Sequence, residues 1–130
     1  MLKELAQYLE DQGAGVYSPG AGETRNMFIS HRPDKPAACI VLYEAPGAPR
    51  SFLGYTYPEL HVEVRGESYD YTGPRAVIET VITTLHGIMN FDIGGTHYQV
   101  IQARQEPFSL PDDVSHRPRV AVNFRVEKDS

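Results

Sequence analysis

One stretch, Tyr57 to Gly87, constrains the fold more than any other because it sets an amphipathic strand directly before an amphipathic helix. Leu60, Val62 and Val64 alternate with His61, Glu63 and Arg65, the period of a strand with one buried face and one wet face. Gly66 ends the run. Thr72-Gly73-Pro74 then opens a helix, with Pro74 expected at its first position, where a missing N–H costs nothing. Val77, Ile78, Val81, Ile82 and Leu85 recur at spacings of three and four, an apolar stripe wide enough to lie on a sheet, and Gly87 offers a left-handed C-cap. The expectation is a sheet covered on one face by a helix.

The flanking sequence extends this scheme. Leu2, Leu5, Ala6 and Leu9 share one helical face and predict a short helix from Leu2 to Asp11, stopped at Gly13 or Gly15. Its C-terminal end carries Glu10 and Asp11 where the helix dipole prefers cations, so packing must hold it. Val16 and Tyr17 suggest a short extended piece. Met27-Phe28-Ile29 and Ala38 to Tyr43 read as strands separated by a polar turn, His31 to Pro36. Ile88–Ile93 and Thr96–Gln105 flank Gly94-Gly95, a pair that accepts positive φ in a tight hairpin. Val120, Val122, Phe124 and Val126 alternate with Ala121, Asn123 and Arg125 in a closing strand.

Two long segments interrupt the pattern. Ala45 to Gly54 holds too much Pro and Gly for a regular element, yet carries Phe52 and Leu53, which either fold back onto their own domain or dock on another chain. Glu106 to Pro118 has three prolines, the pair Asp112-Asp113, and the apolar Phe108, Leu110 and Val114. The whole predicts an α+β fold in a single domain, residues 1–130: a mixed, mostly antiparallel sheet with one long helix packed on one face and a short N-terminal helix beside it.

The formal net charge of -5 argues against a general nucleic-acid grip, which depends on Lys and Arg neutralising phosphates. The one cysteine, Cys39, lies in an apolar run and reads as a packed thiol in a reducing compartment. The N-terminus lacks the basic start and long apolar core of a signal peptide, and no segment reads as membrane-spanning.

The sequence offers little catalytic chemistry. His61 and Glu63 share a strand face and His97 could approach them, but no spaced Cys/His pairs or His-Glu-x-x-His support a metal site. Gly20-x-Gly22 and Gly94-Gly95 are turns, because neither completes a phosphate loop. Ser30-His31 and Ser115-His116 lie in loops without a nucleophile elbow, and Asp112-Asp113 reads as a turn or cap pair. No cofactor is expected. Eight tyrosines and no tryptophan, with Tyr55, Tyr57, Tyr69 and Tyr71 around the central strand, suit either a protein interface or an ordinary half-buried sheet.

The Pro58 to Gly66 strand, the Tyr71-Thr72-Gly73-Pro74-Arg75-Ala76 helix start, and Gly95 to Val100 leading to Pro107 and an Arg119 to Glu127 strand resemble the minor capsid or tail terminator proteins of long-tailed bacteriophages. The resemblance implies a non-enzymatic virion protein that forms a six-fold ring on the tail tube, ends its polymerisation and presents a surface for head–tail joining. The implied partners are copies of itself, the tail tube protein and the head–tail connector protein, with genomic DNA passing through unbound and no membrane involved. The implied location is the virion, reached from the host cytoplasm during assembly. The candidate interface residues are Phe52, Leu53, Tyr55, Tyr57, His61, Glu63, Arg65, Phe108 and Leu110. The alternatives are a small metal-dependent hydrolase or nuclease using His61, Glu63 and His97, or another neck protein such as a connector stopper.

Overall fold

A computed structural model describes every residue, Met1–Ser130. In chain order the elements are α1 (Leu2–Asp11), β1 (Met27–Ile29), β2 (Cys39–Ala48), β3 (Tyr55–Arg65), α2 (Thr72–Leu85), β4 (Ile88–Ile93), β5 (Thr96–Ala103), β6 (Phe108–Leu110) and β7 (Arg119–Asp129). The strands form one sheet in the order β1-β2-β3-β7-β5-β4, with β6 pairing β7 beside that path. β1 pairs β2 in parallel, and every other pair is antiparallel. The mixed α+β architecture is the one expected from the periodicities.

Both helices pack into one core. Ile40, Leu42, Leu60, Val62, Val64, Val120, Val122, Phe124 and Val126 meet Leu2, Leu5, Ala6 and Leu9 of α1 and Ile78, Val81 and Leu85 of α2. α2 lies over β3, β7 and β5, while α1 touches β1 and β2 at one end of the strand order and β4 at the other. The sheet therefore curls around the helices. Each fully buried Leu or Val contributes about 1.5–3 kcal/mol relative to exposure, so this alternation decides which face closes.

Local chemistry explains several boundaries. Glu10, misplaced for the dipole, has other work: its carboxylate accepts Ser18 N and Tyr17 N, each at 2.8 Å, and Gln7 Nε2 at 2.7 Å. The Ser18 amide, with these partners, holds its carboxyl below the ordinary value. Val16 does not begin a strand, but its carbonyl accepts the amides of Asn26 and Met27. Gly94 and Gly95 take φ 57° and 86° at the β4–β5 turn, the conformation their sequence demanded. In β5 a register shift between Tyr98 and Val100 lets Tyr98 and Ile101, three apart, both enter the core. The Tyr98 hydroxyl, pushed up by burial and then by Glu4, donates to Glu4 Oε1 and ties β5 to α1.

Four expectations need correction. The segment from Ala45 is not all loop: β2 continues to Ala48 through Pro46 and Gly47, because a bulge between Ala45 and Ala48 absorbs the residue lacking an N–H. A Cβ at Gly47 would collide with the Tyr57 carbonyl, so the bulge needs glycine there. Glu106 to Pro118 likewise contains β6, held on β7 through Phe108↔Ala121 and Leu110↔Arg119. α2 begins at Thr72, two residues before Pro74, because the Asp70 carboxylate accepts Gly73 N at 3.1 Å and so caps the helix. Finally, the far face of β3 is not wet along its whole length: Glu63 and Arg65 are 2% and 3% exposed, while Tyr57, Glu59 and His61 are half-buried.

Candidate assembly interface

The far face of the sheet divides into a covered half and an open half. Arg65 organises the covered half. Its Nε donates to Ala37 O at 2.7 Å, and its Nη2 donates to Pro33 O at 2.6 Å and Pro36 O at 3.0 Å, so the β1–β2 connection folds over the Cys39/Arg65 end of the sheet. Glu63 lies between Arg119 Nη1, at 3.0 Å, and Arg32 Nε, at 2.9 Å. Only Arg119 meets it in hydrogen-bond geometry, leaving Oε2 held by charge alone. Glu63 and Arg65 thus form a buried polar layer and are structural here.

His61 sits beyond that layer, half-buried, with Nδ1 2.6 Å from Asn123 Oδ1 and its ring against Tyr43. Glu59 pairs with Arg104, and Arg125 Nη1 donates to Glu127 at 2.8 Å. His97 stands on β5, bonded to Asp92 at 2.6 Å. His61, Glu63 and His97 are therefore engaged separately, and no three His, Cys, Asp or Glu side chains gather where they could hold a metal ion.

The strongest surface feature is the tip of the β2–β3 hairpin. Phe52 and Leu53 are 107% and 82% exposed, so they do not fold back onto their own domain. The tip is nevertheless ordered from within: Ser51 N donates to Tyr55 O, Leu53 N to Ser51 Oγ, and Ser130 N to Gly54 O. Tyr55 is partly exposed at its base, and Tyr57 is half-buried. Two apolar side chains are thus held out in water on a hydrogen-bonded turn.

A second tip projects at the opposite end of the sheet. β3 and β7 are antiparallel, pairing Tyr55 with Asp129 at the hairpin end and Arg65 with Arg119 at the other. The β6–β7 loop leaves from that second end with Val114 98% exposed. Asp113 braces it. Partial desolvation pushes the Asp113 carboxyl up, but hydrogen bonds from Arg117 N, Arg117 Nε and Ser115 N prevail and hold it below the ordinary value. Arg117 also reaches the Asp34 carbonyl at 2.7 Å, and the His116 ring stacks on Tyr69. Eleven residues of β3 separate the two tips by roughly 35 Å. Phe108 and Leu110 are half-buried in β6, at the Arg65/Arg119 end of the strand pair.

Sequence reasoning missed Val114, Met89 and Phe91, the last two exposed on the edge strand β4. Val114 carried the same signal as Phe52, an apolar residue inside a Pro-rich segment. Met89 had none, because its exposure follows from β4 being the outermost strand.

A family model described as bacteriophage tail terminator protein matches residues 8–130. No curated protein matches the chain. Among solved structures, a chain described as part of the virion of a native gene transfer agent particle is similar, with a TM-score of 0.60, 11% identity, and coverage of 80% of this chain and 78% of that one. At that identity the likeness concerns the fold.

Proposed function

Since this chain belongs to the bacteriophage tail terminator family, we propose that its copies close into a ring, a hexamer, which caps the tail tube, ends its growth and presents the surface to which the head connector joins. The observation that carries this reading is the pair of ordered apolar tips, Phe52-Leu53 and Val114, standing at opposite ends of one strand pair. A closed ring needs two different patches per subunit, and exposed features at opposite ends of one strand pair supply two. A single-domain protein gains nothing from holding bare Phe and Leu in water unless another chain covers them.

The reading is of a virion component that works by shape, assembled in the host cytoplasm from soluble subunits. The related fold in a gene transfer agent virion supports that location. An acidic chain of net charge -5 suits a channel through which DNA slides without being gripped. No helix is long and apolar enough to cross a membrane.

Deletion of the gene in an infected culture tests the proposal. The expected result, by electron microscopy, is tails of uncontrolled length that fail to join heads, corrected by the wild-type chain from a plasmid. Normal tails on normal particles in the deletion would overturn it.

A further inference from the structure

The chain carries a pocket at the end of β3 opposite its hairpin tip. About 160 Å³ in volume, it lies where the first turns of α2 cross the Cys39/Arg65 end of the sheet, and Ala14, Ala38, Ile40, Val64, Pro74 and Val77 make its apolar wall. An apolar cavity of about 150 Å³ is known to accept benzene, so this one matches a phenyl ring in size, with Asn26, Arg65 and Asp70 adding a polar side to its open lining. It opens at the far end of β3 from the tip that displays Phe52, so no subunit can fill its own pocket with its own tip. We propose that Phe52 of one copy seats in this pocket on the next copy.

Charge supports the same occupant. Arg50, exposed two residues before Phe52, has no ion-pair partner in its own chain, while the half-buried Asp70 lines the pocket with Oδ2 free of hydrogen bonds and Glu67 stands exposed nearby. Seating Phe52 brings the guanidinium toward these carboxylates. A tip at one end and a receptor at the other make a heterologous contact, which closes into a ring when the rotation per step permits. A ring through aromatic insertion concentrates its energy at one anchor, so Phe52→Ala weakens self-association by at least about tenfold. The inference rests on the ring reading above and names its contact.

The test uses full-length chains expressed in the deletion culture, with capped tails isolated, oxidised and run on non-reducing gels. Leu53→Cys/Ala14→Cys/Cys39→Ser keeps the Phe52 anchor, sets one thiol beside it on the exposed tip and the other at the half-exposed rim of the pocket, and removes the buried native thiol. The expected result is a ladder of covalent multimers from this variant and none from Leu53→Cys/Cys39→Ser beyond a symmetric dimer. In parallel, Ala38→Phe fills the pocket from its exposed rim and is expected to abolish capping while its circular dichroism stays that of the wild type. Capping by Ala38→Phe at wild-type efficiency, or capped tails without any ladder, overturns the pocket assignment and leaves the ring intact. A wild-type chain that fails to restore tail length takes the ring reading and this contact down together.

Discussion

Replacing Arg65 by methionine tests whether the far face of β3 is a buried layer or a wet one. The side chain is 3% exposed and makes three hydrogen bonds of 3.0 Å or less to the carbonyls of Pro33, Pro36 and Ala37. Bonds from a charged donor contribute about 1.5–3 kcal/mol each, so their gross loss is at least about 4.5 kcal/mol. Part is returned, because methionine is cheaper to bury than a guanidinium and the exposed loop can turn its carbonyls to water. A net loss of about 3 kcal/mol is expected. For a domain of this size that lowers Tm by roughly 10–15 °C. Arg65→Lys should recover little, because a single ammonium cannot span carbonyls that a planar fork reaches together. The assay is urea unfolding followed by circular dichroism, with hydrogen exchange of residues 31–38 as the local readout. If Arg65 faced water, its substitution would fall within about 0.5 kcal/mol of wild type. A loss under about 1 kcal/mol, with exchange of the β1–β2 connection unchanged, would refute the buried-layer argument.

Three further outcomes follow from the same geometry. Burial pushes the Cys39 thiol above its ordinary value, the nearby guanidinium of Arg65 notwithstanding, so a thiol reagent should label it only as fast as the protein unfolds; immediate stoichiometric labelling of native protein would contradict this. The Asp113 carboxyl is depressed in the folded state despite its desolvation, so its contribution to stability is fully present above the unfolded value of about 3.9 and fades as pH falls through the lower folded value. Asp113→Asn should therefore flatten the acid limb of a Tm-against-pH series, and an unchanged limb counts against the brace. Asp70→Ala should cost about 0.5–2 kcal/mol by removing the cap on Gly73 N, measured by chemical denaturation; no loss would show that α2 starts without it.

How much of this was legible depends on the range of the interaction. α1, the Gly94-Gly95 hairpin and the apolar face of β3 announce themselves in local spacing, whereas Phe52 and Leu53 stood equally for a segment folded back and for one that projects, and only the packed chain shows them exposed. The Asp70 cap was readable in principle from a carboxylate three residues before Gly73. Glu63 and Arg65 misled because alternation reports only that a strand has two kinds of face. Whether the polar face meets water depends on a loop that arrives from thirty residues away in sequence, as Arg65 to Pro33 and Ala37 illustrates.

The sequence by itself determined both helices, most of the strands, the apolar face of each and the α+β class, because hydrophobic period and turn chemistry act within a few residues. Only the tertiary structure decided that β7 lies between β3 and β5, that charged residues can form a second buried layer, and that an aromatic tip and an apolar pocket end up at opposite ends of one strand. Those outcomes depend on which distant surfaces exclude water from one another. That exclusion is a property of the packed chain, and it has no local signature.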